Sequence, residues 1–159
     1  KVLGALHLAG GLVLLAAPQF SGAPTLFILL LLLYNLCYMP TLGLSSSLAF
    51  HNIADQEKQF PRIRVWGTIG WIVAGLFISF GLKAFVGDGV QPEQTALPLY
   101  SAGAASLLLG AYSFTLPHTP PSARGQAVSA RSVLGFDALA QLGSRPFYVF
   151  VAAALLICI

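Results

Sequence analysis

The apolar positions of this chain fall in long unbroken blocks rather than in the alternation of a half-buried strand. Residues 2–17, 25–50, 61–85 and 97–116 are apolar runs, and residues 147–159 open another. A helix needs roughly 20 apolar residues to cross a bilayer, so the pattern predicts an all-α integral membrane protein, a helical bundle with about five transmembrane segments. Between the blocks lie an uncharged turn at 18–24 (PQFSGAP) and two hydrophilic loops, 51–59 (HNIADQEKQ) and 87–95 (GDGVQPEQT). The longest connection is 117–146. Within it Val133, Phe136, Leu139 and Leu142 recur at helical spacing while Asp137, Gln141 and Arg145 recur on another face, the mark of an amphipathic helix lying in the membrane interface.

Each run has its own internal texture. The second begins with the leucines of 29–33 and ends through Asn35, Tyr38, Pro40, Thr41 and Ser45–Ser47, so its first half suits lipid and its second half a cavity wall. Pro40 cannot donate to the carbonyl of Leu36, which predicts a kink with neighbouring hydroxyls or amides serving the freed oxygen. In the fourth run Gly103, Ser106 and Gly110 are small residues that let helices approach closely, and Gly67, Gly70 and Ala74 offer the same on the third. The third run is expected to start near Pro61, whose missing N–H costs nothing in a first turn.

Composition sharpens this picture. With 57% hydrophobic and 8% charged residues and a mean hydropathy of +0.81, the chain has too much apolar surface for a soluble domain of its size. It begins at Lys1 and stops inside an apolar run, which reads as a piece of a longer chain. Lys1, Lys58, Arg62, Arg64, Arg124, Arg131 and Arg145 fall on one side of the predicted bundle and Lys83 on the other. That asymmetry places the N-terminus in the cytoplasm. The excess of basic residues therefore sets topology and does not indicate a nucleic-acid polymer as partner. Cys37 and Cys158 have no metal-ligand spacing, so neither a metal site nor a disulfide framework is inferred.

The densest candidate chemistry lies in FPRIRVWGTIGWIVAG, residues 60–75. On a helix Arg64, Thr68, Trp71 and Gly75 share one face. A cation costs about 2.5–3.5 kcal/mol at the bilayer centre, so one held at depth should face a polar cavity. The competing reading makes Arg62 and Arg64 helix-end anchors reaching lipid phosphate.

YMPTLGLSSSLAF (38–50), FPRIRVWGTIGWIVAG (60–75), TLPHTP (115–120) and LGFDALA (134–140), in that order, resemble the nucleoside:proton symporter family of the major facilitator superfamily. The resemblance implies a major-facilitator-type bundle. Residues 1–116 would belong to its amino-terminal six-helix half as the third to sixth helices, 117–146 to the cytoplasmic central loop, and 147–159 to the start of the carboxyl-terminal half. It further implies a multi-pass protein of the inner membrane that takes up nucleosides with protons, uses the proton gradient and no cofactor, and needs the rest of its own chain to function. Arg64 and Thr68 match the family's nucleoside-binding arginine and threonine, and Trp71 matches an aromatic position able to stack on base or ribose. Asn35 and Tyr38 are weaker cavity candidates.

No Asp or Glu lies within a predicted span, so a proton-carrying carboxylate would have to lie outside this chain. His7 is the weak candidate here for proton coupling; a hydrogen bond to a neighbouring helix is its preferred reading. Fold alone does not choose the cargo. A transporter of a sugar, oligosaccharide or muropeptide, or a sensor or scaffold that does not transport, remain as alternatives. An enzyme ranks last, since no nucleophile–base pair or paired carboxylates stand within a span.

Overall fold

The computed structural model describes residues 1–86, 89–117, 119 and 144–158. The expected amphipathic segment around Val133–Leu142, together with His118 and Asp88, lies outside the described residues. The chain divides into two units, Lys1–Thr119 and Pro120–Ile159. In the first, α1 (Val2–Ala16), α2 (Pro24–Asn52), α3 (Gln56–Leu76) and α4 (Leu97–Ser113) follow one another; α5 (Arg145–Cys158) belongs to the second. No strand occurs among the described residues. The apolar-block reading of an all-α membrane protein holds.

Three helical stretches, Val2–Phe20, Pro24–Asn52 and Gln56–Phe85, are long and apolar enough to span a bilayer. The remaining helices are shorter than the sequence pattern predicts. The 17 residues of α4 rise about 25 Å, because the helix closes at Ser113 in a turn rather than running to Leu116. There the hydroxyls of Ser113 and Thr115 donate to the carbonyls of Leu109 and Tyr112.

Packing in the first unit is built on glycines. A Cβ added at Gly4 would stand 2.9 Å from the Gly110 carbonyl oxygen, and one at Gly11 would stand 3.1 Å from that of Gly103. Gly4 meeting Gly110 and Gly11 meeting Gly103 makes α1 and α4 antiparallel. Each glycine leaves a hollow that a large side chain of the other helix occupies: Phe114 at Gly4, Leu107 at Gly11, Leu15 at Gly103 and Leu8 at Gly110. Close approach of small residues is what holds helices together where lipid removes the hydrophobic driving force. On its other side α1 meets α2, with Gly10 against Tyr34 and Cys37. The close approach expected of Gly103 and Gly110 is thus present. That expected of Gly67 and Gly70 is not, since nothing lies within 4 Å of a Cβ built at either position.

The start of α3 differs from the expectation at Pro61. The helix begins five residues earlier, because the polar residues of 51–59 cap helices instead of forming a loop. Asp55 accepts from the Lys58 N–H at 3.1 Å, and the Gln59 side-chain oxygen accepts from the N–H groups of Ala54 and Asp55. Four of the first N–H groups of any helix lack intrahelical acceptors, and these side chains supply partners at that end. Only residues 53–55 are left outside helices between α2 and α3, where Phe50 and Phe60 stack with centroids 4.2 Å apart. Replacing Asp55 with alanine should cost about 1 kcal/mol, within the usual capping range. The check is faster amide exchange at residues 56–59. The exposed Lys58–Asp55 ion pair at 3.3 Å adds little to that figure.

Beyond Leu76 the pitch changes, first to a π turn over Phe77–Gly81 and then to a 3-10 turn over Leu82–Phe85. The Ser79 hydroxyl donates to the Glu93 carboxylate at 2.8 Å, tying this end to the turn at Pro92–Gln94. Glu93's own backbone N–H and then Ser79 hold its carboxyl below the ordinary carboxylate value. A depressed folded-state pKa gives stability that is complete above the unfolded value, near 4.3 for Glu, and lost as pH falls through the folded value. Glu93→Gln should therefore remove part of the acid dependence of thermal unfolding while leaving melting at neutral pH less affected.

α2 runs without interruption through Pro40. The hydroxyls around the proline do not serve the freed Leu36 carbonyl as expected. Thr41 donates to Tyr38 O at 2.6 Å, Ser45 and Ser46 donate to Leu42 O, and Asn35 donates to Leu31 O.

Candidate functional site

Arg64, Thr68 and Trp71 lie on the unbroken α-helical part of α3, so their spacings of four and three residues place them along one face. The Thr68 hydroxyl is turned to the Arg64 carbonyl at 3.5 Å. All three residues are exposed, Trp71 at 83%. No residue of α3 is buried, and its side-chain ties to the rest of the unit lie at its two ends, the Phe50–Phe60 stack and the Ser79–Glu93 bond. The arginine face is therefore presented without a partner among the described residues. With α3 starting at Gln56, Arg64 stands about 12 Å along the axis from the helix start. That depth removes it from the first turn, where a simple end anchor would sit.

A second place forms where α1, α2 and α4 meet. A cleft of about 280 Å³ is lined by His7 of α1, by Tyr38, Thr41 and Ser45 of α2, by Tyr112 and Ser113 of α4, and by leucines. Two weaker sequence candidates, His7 and Tyr38, are thus brought together. The wall on the α2 side is its second half, as the polar texture of that run predicted. Asn35 is exposed and spends its amide on Leu31 O of its own helix.

His7 has the interhelical partner that its preferred reading required. Its Nδ1 lies 3.3 Å from Ser106 Oγ, and Ser106 Oγ donates to the His7 carbonyl at 3.0 Å. Ser106 stands between Gly103 and Gly110 as His7 stands between Gly4 and Gly11, so the glycine packing positions both polar residues at the helix contact. Tyr112 and Ser113 were not singled out by the sequence pattern. Their signal was adjacency to Gly110, which fixes the face of α4 that meets α1.

Fold and site define a class, an α-helical membrane protein with a polar face on one span and a polar cleft among three others. The chain belongs to the nucleoside H+ symporter family, whose model matches residues 1–159. It is 44% identical to YegT, a candidate nucleoside transporter of Escherichia coli (strain K12), over 94% of this chain and 34% of that protein. It is 32% identical to the nucleoside permease NupG of the same organism, over 95% of this chain and 35% of NupG. A third relative there, xanthosine permease, is 33% identical over 84% of this chain and 31% of its own length. The chain spans about a third of the length of each of these relatives. No solved structure matches it.

Proposed function

We propose that this chain is part of a secondary active transporter that takes up nucleosides together with protons, by alternating access across the inner membrane. Family membership over residues 1–159 carries the reading. Support comes from the nucleoside and xanthosine cargo in the names of NupG and xanthosine permease. In this reading the N-terminus of the chain is cytoplasmic, in keeping with the distribution of Lys and Arg, and the energy comes from the proton gradient with no cofactor. The remaining helices of the full protein pack against α3 and close a cavity over the Arg64 face, which accounts for a helix that buries nothing within its own unit.

Within that cavity Arg64 donates hydrogen bonds to ribose or base oxygens through its planar fork of N–H groups. The Thr68 hydroxyl adds an acceptor, and the Trp71 ring stacks on a base or ribose face. The test is uptake of labelled uridine into vesicles holding the full-length protein, with and without an inward proton gradient. Gradient-driven accumulation is the expected result. No uptake by protein shown to be folded and inserted would overturn the reading.

A further inference from the structure

The hydrogen bonds around His7 determine where its protons sit. Ser106 has a single hydroxyl hydrogen, and a backbone carbonyl can only accept, so the 3.0 Å bond to His7 O takes that hydrogen. Ser106 Oγ is then an acceptor toward His7 Nδ1 at 3.3 Å. Neutral His7 must therefore carry its proton on Nδ1, leaving Nε2 as a bare lone pair. No hydrogen bond engages Nε2 among the described residues, and no buried side-chain N or O lacks a partner. Nε2 is consequently not sealed in the helix contact; it opens to the cleft that His7 helps to line.

The cleft is furnished to receive a proton. The hydroxyl hydrogens of Thr41, Ser45 and Ser113 are spent on the carbonyls of Tyr38, Leu42 and Leu109, so their oxygens face the cleft as acceptors. Tyr38 and Tyr112 contribute phenol groups. No Asp, Glu, Lys or Arg occurs from Val2 to Asn52 or from Leu97 to Ser113. The titratable groups brought to His7 are thus Tyr38 from α2 and Tyr112 from α4, with Tyr34 and Cys37 one turn along α2 and Lys1 at the head of α1. No neighbouring cation opposes a charge on the ring.

We infer that His7 is a proton-binding site: Nε2 takes a proton from the cleft while Nδ1–H stays on Ser106, and the imidazolium's new N–H donates to the hydroxyl oxygens around it. The proton adds to the Nε2 lone pair and no other bond is broken, so the ring charges without disturbing the α1–α4 contact. For its role in coupling, the inference rests on the symport reading above.

Nitrogen-15 NMR of the His7 ring in the purified full-length protein reads the site without reference to any nucleoside. The expected result is a neutral ring protonated at Nδ1 that gains a proton at Nε2 as pH is lowered from about 8 to 5. A ring protonated at Nε2 when neutral, or one that does not titrate over that range, would overturn the assignment. Coupling is then read with His7→Asn, whose amide can still donate to Ser106 but cannot titrate. An inward gradient of one pH unit supports about tenfold accumulation at one proton per nucleoside, and in the variant this ratio should fall to near unity with a flattened pH profile. An unchanged accumulation ratio in His7→Asn would overturn the coupling role. Absence of accumulation by the wild-type protein would instead strike the nucleoside reading, and the NMR arm would still judge the proton site.

Discussion

Arg64→Ala is expected to weaken uridine binding by roughly 10- to 150-fold, the equivalent of one lost hydrogen bond to a charged group at about 1.5–3 kcal/mol. The loss is larger if the guanidinium makes two bonds, since bidentate pairs add geometry to energy. Insertion and folding should change little, because Arg64 is exposed within its unit and makes no side-chain contact there that the structure records. Arg64→Lys should recover only part of the affinity, since an ammonium keeps the charge and loses the planar fork. Calorimetric titration of purified full-length protein with uridine is the measurement. Wild-type affinity in Arg64→Ala would return the residue to the role of a lipid-phosphate anchor.

The other large effect is structural. Gly11→Leu should destabilise the protein by at least the 1–3 kcal/mol typical of an overpacked site. The first atom added would stand 2.9 Å from Leu107 Cδ2 and 3.1 Å from the Gly103 carbonyl oxygen, and the second of these is backbone that cannot swing aside. Relieving the clash means separating α1 from α4, which also lengthens the His7–Ser106 bond. Gly43→Leu on α2 is the matched control, because nothing lies within 4 Å of its Cβ position. Leucine there removes the helix-interior penalty of glycine, about 0.8–1 kcal/mol. Thermal unfolding of the two purified variants should therefore move in opposite directions, and a common direction would count against the glycine-packed contact.

Gly11 shows how far the sequence could be read. The pattern of small residues in the fourth run was legible, since Gly103, Ser106 and Gly110 stand on one helical face. Its counterpart in the first run, Gly4, His7 and Gly11, has the same spacing and was read only for its histidine. A single helix reveals which of its faces is small, but not which other helix will use it. The caps at Asp55 and Gln59 were hidden for a related reason. Polar residues between apolar runs look alike whether they form a loop or end a helix, and only the hydrogen bonds decide.

The sequence by itself determined that this is a helical membrane protein, because blocks of apolar residues of spanning length admit no other way to satisfy backbone polar groups in lipid than the helix or the closed barrel, and their texture is not that of strands. It also determined that Arg64, Thr68 and Trp71 share a face, which follows from helical periodicity alone. Tertiary structure decided what each face meets. It set α1 against α4 through four glycines and bound His7 to Ser106, 99 residues apart. It left α3 without a covering partner in its own unit. Such choices depend on contacts between distant segments, where a hollow on one helix and a side chain on another must coincide, and no local pattern in either segment encodes that coincidence.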